Sequence, residues 1–252
     1  MKLVSLCPSL TELVFDLGVG PTLVGRTRFC VHPAGAVDLV ERVGGTKNPK
    51  VDRIIALAPD LVLMNEEENR VEDAVALRAA GLTVHSSMPR TVAETSAMVR
   101  EIASLVGAEA KGLELADAID AEGERVAALA RGRPPVRYAY LIWWEPLMAA
   151  GGGTFIEGIL GAAGGSNLFA GEGERYPTIT AASLRHNDPD AVFLSSEPFP
   201  FTAAHVEQLA HATELPAERF QLVDGELISW HGSRTVAGLR YAGDLMASLR
   251  AG

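Results

Sequence analysis

The sequence predicts an α/β protein made of two Rossmann-like lobes, each on a central parallel sheet, bridged by a single long rigid α-helix. Three observations lead there. Short apolar runs alternate with helical patterns along the whole chain, as βαβ units require. A segment near residue 60 recurs near residue 190, and residues 108–132 form one continuous helical stretch. The expected domains are an N-terminal lobe over 1–107, the backbone helix over 108–132 and a C-terminal lobe over 133–252.

In the first lobe, Leu3 to Leu6 is a strand. Ser9-Leu10-Thr11-Glu12 has capping-box spacing and is expected to open a helix that stops at Gly18. Leu23 to Arg26 is a strand, Val51 to Leu57 a helix, Asp60 to Met64 a strand, Val71 to Ala80 a helix and Thr83 to His85 a strand. The second lobe repeats this order. Arg137 to Trp144, Ala191 to Leu194 and Phe220 to Val223 are strands; Phe155 to Ala163, Ala204 to His211 and Thr235 to Arg250 are helices.

The internal repeat is specific. Pro59-Asp60-Leu61-Val62-Leu63-Met64-Asn65-Glu66-Glu67 aligns with Pro189-Asp190-Ala191-Val192-Phe193-Leu194-Ser195-Ser196-Glu197, and Ile54 to Leu57 aligns with Ala181 to Leu184. Each copy places Pro-Asp before an apolar strand and a carboxylate at its far end. Between the copies, Ala108 to Gly132 lacks proline and carries apolar residues at helical spacing, with Gly132, Pro134 and Pro135 as its stop. At about 1.5 Å per residue it is long enough to reach from lobe to lobe.

A formal net charge of −10, with Lys and Arg scattered singly, argues against nucleic acid as a partner. No apolar run is long enough for a membrane span, so no membrane insertion is expected. The start Met1-Lys2-Leu3-Val4 reads as a strand and not as a secretion signal. As it stands the chain reads as cytoplasmic, or as extracytoplasmic if a leader has been trimmed. Cys7 and Cys30 are too few for a disulfide scaffold and read as buried thiols near one sheet edge, with a disulfide or metal contact as alternatives.

Ligands of open parallel sheets bind outside the carboxyl ends of the strands. The segments that follow each strand are therefore the candidate site. They hold Phe29, Cys30 and His32, then Glu67, and in the second half Trp144, Met148, Glu197, Phe199, Trp230 and His231. Aromatic side chains there suit a large flat or apolar ligand. Trp143 and Trp144 are neighbours on a strand, so one faces inward and one outward. Glu66 to Glu68 could serve as a hard-metal or acid–base site, or cap the next helix. His231 and His32 are the candidate metal ligands; His85, His186, His205 and His211 read as surface or helix residues. No nucleophile elbow or phosphate-binding loop is present, and the glycines from Gly158 to Gly164 read as helix-packing positions. A binding protein without a catalytic cofactor is expected, with a metal-dependent enzyme on the Glu66–Glu68 rim as the reading from another class.

Leu6-Cys7-Pro8-Ser9-Leu10-Thr11-Glu12-Leu13, Val24-Gly25-Arg26, Val43-Gly44-Gly45, the run Arg53 to Val62 and its Pro189-Asp190 copy resemble the helical-backbone metal receptors, the substrate-binding proteins of ABC importers for cobalamin, ferric siderophores and haem. The resemblance covers nearly the whole chain. It implies two α/β lobes on one rigid helix and a metal-containing ligand in the cleft between them, without catalysis. The nearest likeness is to the cobalamin binders, which implies a corrinoid ligand, cleft aromatics at Phe29, Tyr176 and Trp230, and axial ligation from His231 or His32. Two positions depart from that pattern: Thr46 stands where a cleft tryptophan is expected and Met148 where a phenylalanine is. Haem or a ferric siderophore is the alternative, with Arg26, Arg28, Lys47 and Arg234 as the cations an anionic chelate would need. The resemblance also implies an ABC permease as partner, docked through one carboxylate per lobe; Asp52 fits the first position and Ala182 falls at the second. A monomer is expected.

Overall fold

The protein, described over residues 1–251 by a computed structural model, is α/β with two parallel-sheet units. One unit comprises residues 1–89, 94–118 and 231–234; the other comprises 90–93, 119–230 and the residues from Thr235 on.

The first unit carries β1 (Leu3–Ser5), α1 (Pro8–Asp16), β2 (Leu23–Arg26), β3 (Glu41–Arg42), α2 (Val51–Leu57), β4 (Leu61–Asn65), α3 (Val71–Ala79), β5 (Val84–Ser87) and most of α4 (Val92–Leu105). Its sheet runs β3-β2-β1-β4-β5 and every pairing is parallel. All strand carboxyl ends therefore lie on one edge. Val4, Leu6, Val62 and Met64 point to one face, where Ile54 of α2 and Leu77 of α3 cover them. Helix α1 starts earlier than its capping-box spacing predicts. Pro8, with φ preset for the first turn, begins the helix, Cys7 is the N-cap, and Ser9 lies inside with its hydroxyl 3.3 Å from Cys7 Sγ.

Helix α5 (Glu109–Ala130) is the long helix read from composition. Its first half belongs to the first unit and its second half to the other. Gly112 lets it approach α4, because a Cβ there would stand 2.1 Å from that of Ala103.

The second unit holds β6 (Val136–Trp143), β7 (Met148–Ala149), α6 (Phe155–Ala162), β8 (Gly165–Asn167), α7 (Ala181–Asn187), β9 (Ala191–Ser195), α8 (Ala203–Thr213), β10 (Phe220–Val223), α9 (Gly225–Ser229) and α10 (Thr235–Ala251). The sheet runs β10-β9-β6-β7, with β8 also on β6. All pairings are parallel except β6 with β7. Alternation along the buried strands sends Tyr138, Tyr140 and Phe193 to one face with Ile159 and Leu239, and Leu141, Val192 and Leu194 to the other with Leu184 and Leu209. Of the spaced glycines, Gly158 is a packing position: a Cβ would meet the Arg90 carbonyl oxygen at 2.1 Å, whereas Gly161 faces open space.

The internal repeat extends into the bonding. Helices α2 and α7 and strands β4 and β9 start at matching offsets. Ala58 and Asp188, which end the two helices, both take the left-handed conformation at φ 46°. Asp60 accepts the Lys2 amide at 2.6 Å and Asp190 accepts that of Arg137 at 2.7 Å; both aspartate amides return a bond to the same residue's carbonyl. At the other end, Asn65 Oδ1 accepts from the Glu67 amide and Ser195 Oγ from the Glu197 amide.

Candidate functional site

The post-strand segments of the first unit converge on the polar end of β4. The amide of Asn65 is oriented without ambiguity: its oxygen accepts the N–H groups of Glu67 and Glu68, so its nitrogen donates to Ser87 O and to His231 Nε2, both at 3.0 Å. His231 is 6% exposed, and burial lowers its pKa to about 4. It is neutral near pH 7, and its Nε2 lone pair accepts the Asn65 hydrogen bond. Asn69 ties the rim together by donating to Leu6 O and Thr46 O. Thr46 is buried and hydrogen-bonds Glu68, a solvent-reaching carboxyl whose pKa is raised, first by desolvation and then by the charge of Glu67, against the pull of Lys47. Glu66, Glu67 and Glu68 do not cap α3, whose N-cap is Arg70 and whose first turn carries Glu72 and Asp73.

The segment after β2 is held from beneath. Arg26, fully buried, donates from Nε to Val37 O at 2.8 Å and from Nη1 to Cys30 O at 3.0 Å and Thr27 O at 3.3 Å, with Asp38 3.4 Å away. This side chain holds a segment that presents Phe29, 47% exposed, and His32, half-buried. The Arg28 guanidinium stands over the Phe29 ring, 4.7 Å from its centre. Cys30 and Cys7 are buried free thiols. Desolvation pushes Cys7 up to about 12 and raises Cys30 as well, so neither is a thiolate at neutral pH. His85 lies in β5, 3.6 Å from Glu101.

The second unit presents two groups of residues. Trp143 is 40% exposed and meets Phe199 edge-on, while Trp144 packs on Phe201 and His205. The inward–outward division of the two tryptophans follows strand geometry. His205 takes the N3 position of α8, accepts the Thr202 amide at Nδ1 and sits edge-on to three aromatic rings. Trp144 and Phe199 are thus partly spent on their own unit's packing. Met148 lies in β7 and bridges to Thr178; Tyr176 is half-buried against the core.

The other group is centred on Glu197. Its carbonyl accepts Ser195 Oγ at 2.5 Å, and its carboxylate Oε1 accepts Ser229 Oγ at 2.9 Å and Trp230 Nε1 at 2.6 Å. Trp230 is 8% exposed.

Asp52 is exposed on α2 and lines an open groove with Lys50, Arg53, Ala56, Arg70 and Asp73. Arg53 pairs with Glu41 and Arg70 with Asp73, and Lys50 is the other charged residue beside Asp52 in the groove. Ala182 occupies the matching second position of α7. Among the described residues, no group of three or more His, Cys, Asp and Glu is arranged to hold a metal ion. No described helix is long and apolar enough to cross a membrane.

A duplicated α/β chain whose sheets expose aromatic and polar carboxyl-end rims has the architecture of a solute receptor. Over residues 3–229 it matches the periplasmic binding protein family, and the chain belongs to that family. It is 24% identical to the vitamin B12-binding protein of Vibrio cholerae serotype O1 (strain ATCC 39541) over 194 residues, covering 77% of this chain and 70% of the relative. The vitamin B12-binding protein of Vibrio vulnificus (strain CMCP6) is 21% identical over 248 residues, covering 98% of this chain and 90% of that one. Among solved structures, the periplasmic vitamin B12-binding protein BtuF of Vibrio cholerae superposes with a TM-score of 0.86 at 19% identity, over 100% of this chain and 98% of the other. The periplasmic heme-binding protein RhuT from Roseiflexus sp. RS-1 in apo form gives 0.84 at 23% identity, over 99% and 98%.

Proposed function

We propose that the chain is a non-catalytic receptor for a corrinoid such as cobalamin, held through the carboxyl-end rims of its sheets and handed to an ABC permease. The observation that carries this reading is the state of the cations. Haem and ferric siderophores are generally anionic and need available Arg or Lys. Of the four cations nominated for that role, Arg26 is bonded to its own loop's carbonyls, Arg234 is bidentate on Glu12 and Lys47 donates to Glu67 O. Arg28 lies on Phe29. The rim they leave has carboxylates, carbonyls and amides, which complement the amide side chains of a corrinoid. The family relatives named for vitamin B12 support the same ligand class.

His32 is the axial-ligand candidate with the better access, since His231 Nε2 already accepts from Asn65. Phe29, Tyr176 and Trp230 supply ring contacts, with Trp144, Met148 and Phe199 at the margin and Cys30 beneath the Phe29 loop. Titration with cyanocobalamin and with cobinamide should give a shifted visible spectrum and micromolar or tighter binding by calorimetry. Absence of both signals, with a Soret shift on adding haemin, would overturn the corrinoid assignment in favour of haem through Tyr176.

Asp52 is proposed as the permease contact, acting from one side because Ala182 carries no charge. Asp52→Ala should leave corrinoid affinity within about twofold, since an exposed charge contributes little to a remote site. It should reduce stimulation of the permease's ATPase in proteoliposomes at least tenfold if the contact is a desolvated ion pair. Unchanged stimulation would remove Asp52 from the interface.

A further inference from the structure

We propose that Glu197 is a positioning residue that fixes the Trp230 indole before the ligand arrives, and that it acts on binding through that ring rather than by touching the ligand. The proposal rests on Trp230 being a ligand contact, as the functional reading has it. Three observations carry it, all within the second unit.

First, the short carboxylate–indole hydrogen bond, 2.6 Å between Oε1 and Nε1, satisfies the one polar atom of a buried ring. An ionised acceptor makes this a strong and directional bond. Second, the same oxygen accepts from Ser229, so the carboxylate gathers two consecutive residues at the end of α9. Third, the Glu197 backbone from which the side chain springs is itself held in place. Ser195 Oγ donates to its carbonyl and accepts from its amide, and Tyr140 in turn donates to Ser195 Oγ at 3.0 Å.

Gly225 provides the space. A Cβ there would stand 2.6 Å from Glu197 Cγ and 2.5 Å from Ser195 Oγ, so α9 can lie against this glutamate only if its first residue has no side chain. The repeat copy shows the specialisation. Glu67 keeps the backbone bond to the strand-end side chain, but there it is Lys47 Nζ that donates to the Glu67 carbonyl. Preorganising an aromatic wall removes an ordering cost from binding.

Three tryptophans give three indole N–H signals in a nitrogen–proton correlation spectrum, and Trp230→Phe assigns one. In the ligand-free protein, Glu197→Ala should move the Trp230 signal upfield, Glu197→Asp should move it part of the way, and Glu197→Gln should leave it nearer its original place. Affinity for cyanocobalamin should fall about tenfold in Glu197→Ala, as loss of preorganisation at one contact implies, and fall no further when Glu197→Ala is added to Trp230→Phe. Should the alanine variant fail to fold, the Asp and Gln variants make the same comparison. An indole signal unmoved by all three substitutions overturns the proposal, and so does an equal loss of affinity in the Trp230→Phe background. Failure of the wild-type chain to bind any corrinoid sinks the ligand assignment alone, because the indole shift is read without ligand.

Discussion

Replacing Arg26 by Met is expected to destabilise the first unit by about 2–4 kcal/mol, because each carbonyl left buried without its donor costs about 1–3 kcal/mol. The guanidinium is fully buried, yet only Asp38, at 3.4 Å, offers it a countercharge; its short bonds go to the carbonyls of Val37 and Cys30. Those oxygens belong to a segment with little regular structure between β2 and β3, so they have no ladder to fall back on. Methionine fills the volume and leaves the acceptors buried without donors. Arg26→Lys keeps the charge but not the planar fork that reaches several carbonyls at once, and should lose roughly half as much. Urea denaturation measures the size of the effect. Hydrogen exchange at residues 27–39 should show that segment opening first, with Phe29 and His32 carried along. A Met variant within about 1 kcal/mol of wild type, with unchanged exchange there, would refute the assignment of Arg26 as the anchor of the Phe29 loop.

Arg26 also marks where sequence reasoning stops. In the sequence it is one cation at a strand end, indistinguishable from Arg28, and both were nominated to meet an anionic ligand. Only the fold shows that its side chain turns beneath the loop. Lys47 and Arg234 are similar cases: their partners, Glu67 and Glu12, are 20 and 222 residues away. Glu197 and Trp230 were each nominated as rim residues, but the bond between them had no signal, since it depends on Gly225 and a five-residue helix too short to have a pattern.

Elements governed by local periodicity were read closely. The long α5 was marked by its proline-free apolar repeat, and the 59–67 and 189–197 copies predicted matching strands that also share helix ends and aspartate bonds. Helix α4 was passed over in the sequence, although Thr95, Met98, Val99 and Ile102 form its buried stripe at helical spacing. Strand β7, two residues long and antiparallel, has no local signal and exists because β6 offers it an edge. The start of α1 was misplaced because Ser9 and Glu12 matched a capping box, while Pro8 dominated through its fixed φ.

Acid is expected to destabilise the first unit through His231 before the bulk of the carboxylates titrate. Burial alone lowers its pKa from 6.5 to about 4, so the folded state binds fewer protons than the unfolded chain across that window. Its contribution is complete above about pH 6.5 and is lost progressively as pH falls toward 4, at up to ~1.4 kcal/mol per pH unit. Over the window this amounts to roughly 3 kcal/mol. Comparing thermal melts of wild type and His231→Gln isolates it, since glutamine can accept from Asn65 and does not titrate. Between about pH 6.5 and pH 5 the wild type should lose roughly 2 kcal/mol more than the variant; parallel curves would mean that His231 is not buried in its neutral form. The consequence reaches the rim. A protonated His231 can no longer accept from Asn65 Nδ2, and Asn65 Oδ1 is what holds the Glu67 and Glu68 amides in their turn. Acid should therefore loosen this post-strand segment at pH values where the β4 ladder beneath it is still intact.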